Sequence, residues 1–417
     1  MQIGKVRCDR IMLFLLLLIV TQFYNMQVYW SFAFALMILF VQIYPSGKLY
    51  RLPAMQWLVL IATFVIYFTV YKRNHDVQIF RYMTYLIGPP LFYYCGMVYA
   101  RRYKDEDLTA KIENIMLVLS LGGTLYAIAC CVYKYLNYGQ YLTLMVSESI
   151  VKSMQSRYAL DIWSGALFQP TNLNSYCIFS VISLYPATRY VENKVKKRLF
   201  QVSAILAVIV CLVSASRTNL LFLILAFLLG VLAAGDFGKK KGILAPTKSK
   251  VLGAVVGVFL LLIFSDQIAS MIQSSSLGER VSSQNLTVSN DGRWERMGLV
   301  LENLMEYPFG NMPFSEAHNL WLDTARVSGI IPMILMICYT LSVVYSAVKL
   351  CWKKSVTLEI RIWMMLTVCT MFLSFMIEPV LEGRPYIFII FCFFAGLNRV
   401  ILKYSFKLSE NEWREEG

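Results

Sequence analysis

Long apolar runs alternate with short polar connections along the whole chain. Runs close to the roughly 18–20 residues that carry a helix across a bilayer recur about twelve times. Their approximate spans are 11–26, 28–44, 54–71, 79–100, 112–135, 173–189, 199–214, 217–234, 251–272, 319–348, 361–378 and 385–403. Only "SAS" separates the seventh from the eighth. Two connections are long, about 136–172 and about 273–318, and the second is rich in Ser, Asn and Gly. Loops of that length are usually functional or disordered. The pattern predicts an all-α polytopic membrane protein with about 12 transmembrane helices. Residues 1–417 form a single integral membrane domain, and 273–318 is a large external loop between helices 9 and 10.

Composition supports this class. Hydrophobic residues make up 58% and charged residues 15%, against about 25% charged in an ordinary soluble domain. The net charge of +14 would suit nucleic acid, but the basic residues gather in short connections between apolar runs, which is the pattern of topology signals. With Lys5, Arg7 and Arg10 in the cytoplasm, every second connection is also inside: "SGKLYR", "RRYKDED", "ENKVKKR", "GKKKGILAPTKSK", "KLCWKKSVTLEIR" and the C-terminal tail. These segments and their flanks carry roughly 27 of the 39 Lys and Arg, as the positive-inside rule requires. Both termini are then cytoplasmic. "MQIGKVRCDRIMLFLLLLIV" has no small-residue cleavage site after it, so it reads as the first membrane helix and not a signal peptide.

On the outer face basic residues are scarce, so each one is informative. Arg217 opens the eighth helix in "SASRTNLL", and Arg293 and Arg296 lie in "NDGRWERM". Arg384 lies in "EGRPY" before the last helix, and Arg81 begins the fourth. A guanidinium stays charged and grips phosphate oxygens through two parallel hydrogen bonds. The alternative for each arginine is snorkelling or pairing with a nearby acid, Glu378 or Glu382 for Arg384 and Glu295 for Arg296. His318, one of two histidines, opens the tenth helix in "EAHNLWLD". Capping by Ser315 would put it in the first turn, where free N–H groups favour an anion. Its imidazole is also suited to accept a proton from a hydroxyl. The plainer reading is a polar residue at an interfacial helix start.

Other chemistries lack their signatures. The ten cysteines form no Cys-x-x-Cys pair and lie mostly in apolar runs, so neither a disulfide framework nor a zinc site is expected. "DED" at 105–107 sits among basic residues on the cytoplasmic side and reads as a solvated charge cluster. Asn285-Leu286-Thr287 is a glycosylation sequon by pattern alone, and His75 reads as structural. A Walker loop and a Gly-x-Ser-x-Gly are both missing, which argues against ATP-driven transport and serine hydrolysis.

At these residues the sequence resembles the O-antigen polymerase and O-antigen ligase superfamily of bacterial membrane proteins. Four segments carry the resemblance: "GALFQPTNLNSYCIF", "SASRTNLL", "GRWERMGLVLENLMEYPFGNMP" and "AHNLWLDTARVSGIIPMILMI". They cover about residues 165–345, and "QPTN" stands where the family more usually has Asn-Pro-Asn. The resemblance implies a multi-pass glycosyltransferase of the bacterial cytoplasmic membrane that polymerises glycan repeat units carried on polyprenyl pyrophosphate. It implies phosphate binding by Arg217 and Arg293 and either acceptor activation or phosphate contact by His318. Arg384, Asn319, Asn172 and Arg81 are the substrate-contacting candidates. The expected partners are the lipid-linked glycan donor and acceptor, the bilayer and other polysaccharide-assembly proteins. No nucleic acid, metal or cofactor is expected. Transfer of finished glycan by a ligase is the alternative, and a flippase for the same lipid is the competing class.

Overall fold

The computed structural model describes residues 2–23, 54–74, 79–103, 108–138, 159–165, 167–168, 170–214, 217–234, 292–378, 380–383 and 385–403. The expected helices at 28–44 and 251–272 lie outside these residues, as do Arg384, His75, the "DED" cluster and the sequon. The described residues are mostly helical. Four of their helices are long and apolar enough to cross a membrane: Leu108–Asn137, Ile330–Cys351, Leu358–Phe375 and Pro385–Lys403. The chain divides into two compact units, one built from 1–123 with 292–417 and the other from 124–291.

The first unit contains α1 (Gln2–Val20), α2 (Ala54–Asn74), α3 (Ile79–Arg102) and the first half of α4 (Leu108–Tyr138). At its centre is the C-terminal helix Pro385–Lys403, which is apolar on every side and buried from Pro385 to Asn398. A helix without a polar face belongs inside a bundle. It crosses α3 at two glycines. A Cβ on Gly396 would overlap the Tyr93 carbonyl oxygen, and a Cβ on Gly96 would overlap that of Phe393. Without Cβ atoms the two backbones close on each other, as small residues permit in membrane bundles. Phe388 then acts as a hub. Its ring lies 5.8 Å from Phe64 of α2, 5.8 Å from Phe375 of Leu358–Phe375 and 6.2 Å from Tyr339 of Ile330–Cys351. Within α1, Asp9 accepts from Tyr99 Oη at 2.7 Å and from Lys111 Nζ at 2.5 Å, which ties α1 to α3 and α4.

The second unit begins with the rest of α4. A two-residue antiparallel pairing of β1 (Ala159–Leu160) with β2 (Leu167–Phe168) follows. Then come α5 (Pro170–Ser175), α6 (Ile178–Tyr190), α7 (Lys194–Val213) and α8 (Arg217–Ala233). The predicted span 173–189 is therefore broken at Tyr176-Cys177 into a short entry helix and a longer one. Asp161 closes the β-turn region, accepting from Tyr126 Oη at 2.7 Å, Trp163 N at 3.1 Å and Ser164 Oγ at 2.5 Å.

The first unit resumes with α9 (Gly292–Glu302), α10 (Leu320–Ser328), α11 (Ile330–Cys351), α12 (Leu358–Phe375), α13 (Val380–Gly383) and α14 (Pro385–Lys403). Two expectations change here. The loop predicted for 273–318 contains a helix, α9. The span predicted at 319–348 is two helices, because Gly329 (φ 90°) ends α10 after nine residues and α11 restarts at Ile330.

Candidate functional site

The segment between α9 and α10 folds because two glycines allow it. Gly310 (φ 82°) lies against Val327 and Ser328, and Gly329 lies against Pro308 and Phe309. A side chain at either would meet backbone atoms, and the left-handed φ would strain any other residue. The contact is stitched by Asn311 N to Val327 O (3.1 Å), Met312 N to Arg326 O (3.0 Å) and Ile330 N to Pro308 O (3.0 Å). The "PFG" turn and the late glycine of "AHNLWLDTARVSG" are thus two halves of one lock. Met297, Val300, Met312, Ala317 and Ala325 form a small apolar core beneath it, with Leu322 packed alongside.

This lock fixes the entry to α10, and the entry is not the one expected. Asn319, not Ser315, is the cap. Its Oδ1 accepts from Trp321 N and Leu322 N, each at 3.1 Å. Its Nδ2 donates to Met376 O at 3.0 Å, just past the end of α12. With its amide engaged at both ends, Asn319 holds two elements together. His318 stands one residue before the cap, outside the first turn, with φ 57°. Histidine tolerates this left-handed conformation better than most residues, though at some cost. The helix start is also a poor anion site. Its N–H groups at 321 and 322 already serve Asn319, and the first turn carries a buried acid, Asp323.

Asp323 shapes the loop from below. Its Oδ1 accepts from Ala317 N at 2.7 Å and its Oδ2 from Asn319 N at 3.1 Å. Arg326 Nε lies 3.6 Å from Oδ1, while Arg326 Nη1 donates to Phe314 O at 3.2 Å. Burial pushes the Asp323 carboxyl up to about 6, with the nearby Glu316 charge adding to the rise. The two backbone bonds and Arg326 act in the opposite direction. Burial wins because the side chain is almost completely removed from water. Asp323 was not singled out in the sequence. The signal available was an acid four residues after a capping Asn, close to the spacing of a capping box.

Arg293 and Arg296 are three residues apart on α9 and so share a side of the helix. Arg293 Nη1 donates to Ile377 O at 3.1 Å, and its Nη2 lies 4.0 Å from the buried Glu378 carboxylate. Glu378, weighed as a partner for Arg384, also faces Arg293, and Arg384 itself lies outside the described residues. Arg296 Nη1 donates to His318 Nε2 at 3.2 Å. A guanidinium can only donate, so this contact is a hydrogen bond in the tautomer whose Nε2 carries no proton. The surface pairing of Arg296 with Glu295 is not found among the described residues. The contact with His318 is a partner that the sequence reading did not give Arg296. Three stretches meet here: the first turns of α9, residues 318–319, and residues 376–378 after α12.

The remaining candidates lie elsewhere. Arg217 is the first residue of α8 and Arg81 the third of α3. Their side chains, like all of Arg384, fall outside the described residues. Asn172 is half-buried in α5, where its carbonyl accepts from Ser175 Oγ at 2.6 Å. The buried amide of this segment is Asn174, which donates to Pro170 O at 2.6 Å and to Ser214 Oγ at 2.7 Å. Asn174 and Ser214 were overlooked, yet they join the two family-like segments of this unit. Asn174 fastens α5 to the turn that ends α7, three residues before Arg217. Among the described residues no group of His, Cys, Asp or Glu could hold a metal ion.

No protein-family model matches the sequence, and no curated protein matches it.

Proposed function

We propose that the chain is a membrane glycosyltransferase that polymerises polyprenyl-pyrophosphate-linked oligosaccharide repeat units into a surface polysaccharide. In this reading it crosses the bacterial cytoplasmic membrane about twelve times, with both termini in the cytoplasm. The site at α9 and α10 then faces outward, where lipid-linked repeat units are presented. One observation carries most of the support. "GRWERM" and "AHNLWL", more than twenty residues apart, meet through Arg296 and His318 at 3.2 Å.

The reaction would run as follows. A hydroxyl oxygen of the acceptor sugar attacks the anomeric carbon of the donor sugar. The bond from that carbon to the pyrophosphate oxygen breaks, and polyprenyl pyrophosphate leaves with the electron pair. The hydroxyl proton passes to His318 Nε2, which carries no proton in the tautomer that accepts from Arg296. To take the proton, Nε2 must exchange Arg296 for the hydroxyl, and the released guanidinium can turn to a phosphate oxygen. Arg293, held by Ile377 O and Glu378, would stabilise charge developing on the leaving group, the role that the resemblance also implies for Arg217. Asn319 serves as a positioning residue.

The lipid-linked glycans of a strain lacking the protein test this reading. A polymerase leaves single repeat units on polyprenyl pyrophosphate. Long unattached chains would assign the ligase reaction instead, and repeat units confined to the inner leaflet would assign a flippase.

A further inference from the structure

Helix α9 carries three distinct faces. Met297 and Val300 point into the small apolar core. Glu295 and Glu302 lie along a second line, exposed, and Glu306 in the following turn continues it. A third line, at i, i+4, i+7 and i+11, runs through Trp294, Gly298, Leu301 and Met305, which a helix of 3.6 residues per turn places on one side. The helix ends at Glu302, and the turns that follow it, with Asn303 N donating to Leu299 O and Tyr307 N to Asn303 O, carry Met305 just beyond its end. The third line is apolar and open. Trp294 is 54% exposed, Leu301 56% and Met305 83%, with Phe309 at 78% just beyond. Open space lies where a Cβ of Gly298 would stand.

We propose that this face is immersed in the bilayer, so that α9 lies in the membrane plane with lipid acyl chains covering Trp294, Leu301, Met305 and Phe309. Continuity argues for lipid. The backbone of Phe309 packs against Gly329, and α11 starts at the next residue. That helix is apolar enough to span a membrane, and its exposed Ile331, Ile334, Leu341 and Tyr345 fall on one side of it. The α9 face is joined to the start of that helix through Phe309. Trp294 is the residue type that favours the interfacial zone, and the acidic line a quarter turn away stays in water.

The polar side has acids where many interfacial helices have Lys and Arg. Attachment is thus by apolar burial and does not depend on anionic lipid. The same helix carries Arg293 and Arg296, so both are fixed at headgroup depth, where a lipid-borne phosphate lies. The lipid contact itself rests on exposure and continuity and stands whether or not the proposed activity does.

Photocrosslinking in liposomes tests it. The full chain, with benzoylphenylalanine at position 301, 305, 302 or 306, is reconstituted in phosphatidylcholine with or without phosphatidylglycerol and irradiated. Phospholipid adducts should be at least tenfold more frequent from 301 and 305 than from 302 and 306, in both lipid mixtures. Equal yields from all four positions would overturn the proposal. So would crosslinks from 301 and 305 mainly to a second copy of the chain, or lipid adducts only with phosphatidylglycerol. A second measurement leaves the apolar face nearly intact. Tryptophan emission is compared between the unsubstituted protein and Trp294→Phe in brominated phosphatidylcholine. The difference signal, which belongs to Trp294, should be quenched, and an unquenched signal would equally overturn the in-plane helix.

Discussion

Arg296 donates a hydrogen bond through Nη1 to Nε2 of His318, across a 3.2 Å gap between α9 and the residue before the α10 cap. The bond selects one tautomer of the imidazole and places a permanent charge beside it. A protonated His318 would lose the acceptor and face a like charge. Removing the guanidinium with Arg296→Ala takes away a hydrogen bond to a charged group, worth about 1.5–3 kcal/mol when buried and less at this exposed position. The expected result is roughly tenfold lower polymer synthesis at matched protein level. Glycan chain length in cells checks it, and unchanged chains would mean that the contact is incidental.

His318 pairs a chemical role with backbone strain, and substitution can separate the two. Its φ of 57° suits glycine better than any side chain, so His318→Gly relieves a cost of about 1 kcal/mol. That variant should be at least as abundant as the unsubstituted protein and still make no visible polymer, since a general base contributes about 10²–10⁴-fold. His318→Gly with full-length polymer would reduce the histidine to a loop residue.

Asn319 uses both ends of its amide, and Asn319→Asp divides them. Aspartate caps a helix as well as asparagine does, so Trp321 N and Leu322 N keep their acceptor. The donor to Met376 O disappears, and a carboxylate then faces a carbonyl oxygen. We expect α10 to remain folded while the segment after α12 loosens. Hydrogen exchange should rise at residues 376–378 and remain unchanged at 321–324. A rise at both would show that the cap and the tie are not separable.

Asp323 gives the loop a pH signature. Its carboxyl is raised from 3.8 to about 6 by burial, so the folded state binds the proton more tightly than the unfolded chain. The stability this confers is complete below about 3.8 and is lost as pH rises through about 6. The amide introduced by Asp323→Asn cannot titrate, so comparison with that variant isolates the effect. The thermal midpoint of the unsubstituted protein minus that of the variant should fall between pH 4 and 6 and stay flat above about 7. A difference that grows with pH would contradict burial as the dominant influence.

The sequence revealed apolar helices and the residues at their ends, because length and hydropathy are local properties. It misjudged the breaks. Gly329 lies inside a run read as one membrane span, and its approach to Pro308, twenty-one residues earlier, shows why it ends a helix. The site was legible in the same limited way. Arg293 and His318 stand out by scarcity, but the partners of Arg296 and Glu378 depend on how α9 meets α10 and the end of α12. An adjacent acid such as Glu295 is the best partner that sequence can offer Arg296. The capping geometry of Asn319 depends on the turn at His318.

The central claim is that this chain itself joins lipid-linked repeat units. The most direct measurement is reconstitution of the purified full chain in liposomes with a polyprenyl-pyrophosphate-linked repeat unit and a chelator. The account predicts glycans lengthened by whole repeats, one polyprenyl pyrophosphate released for each linkage, and loss of both with His318→Gly. Repeat units that remain unlinked with the unsubstituted protein, with no pyrophosphate released, would contradict it.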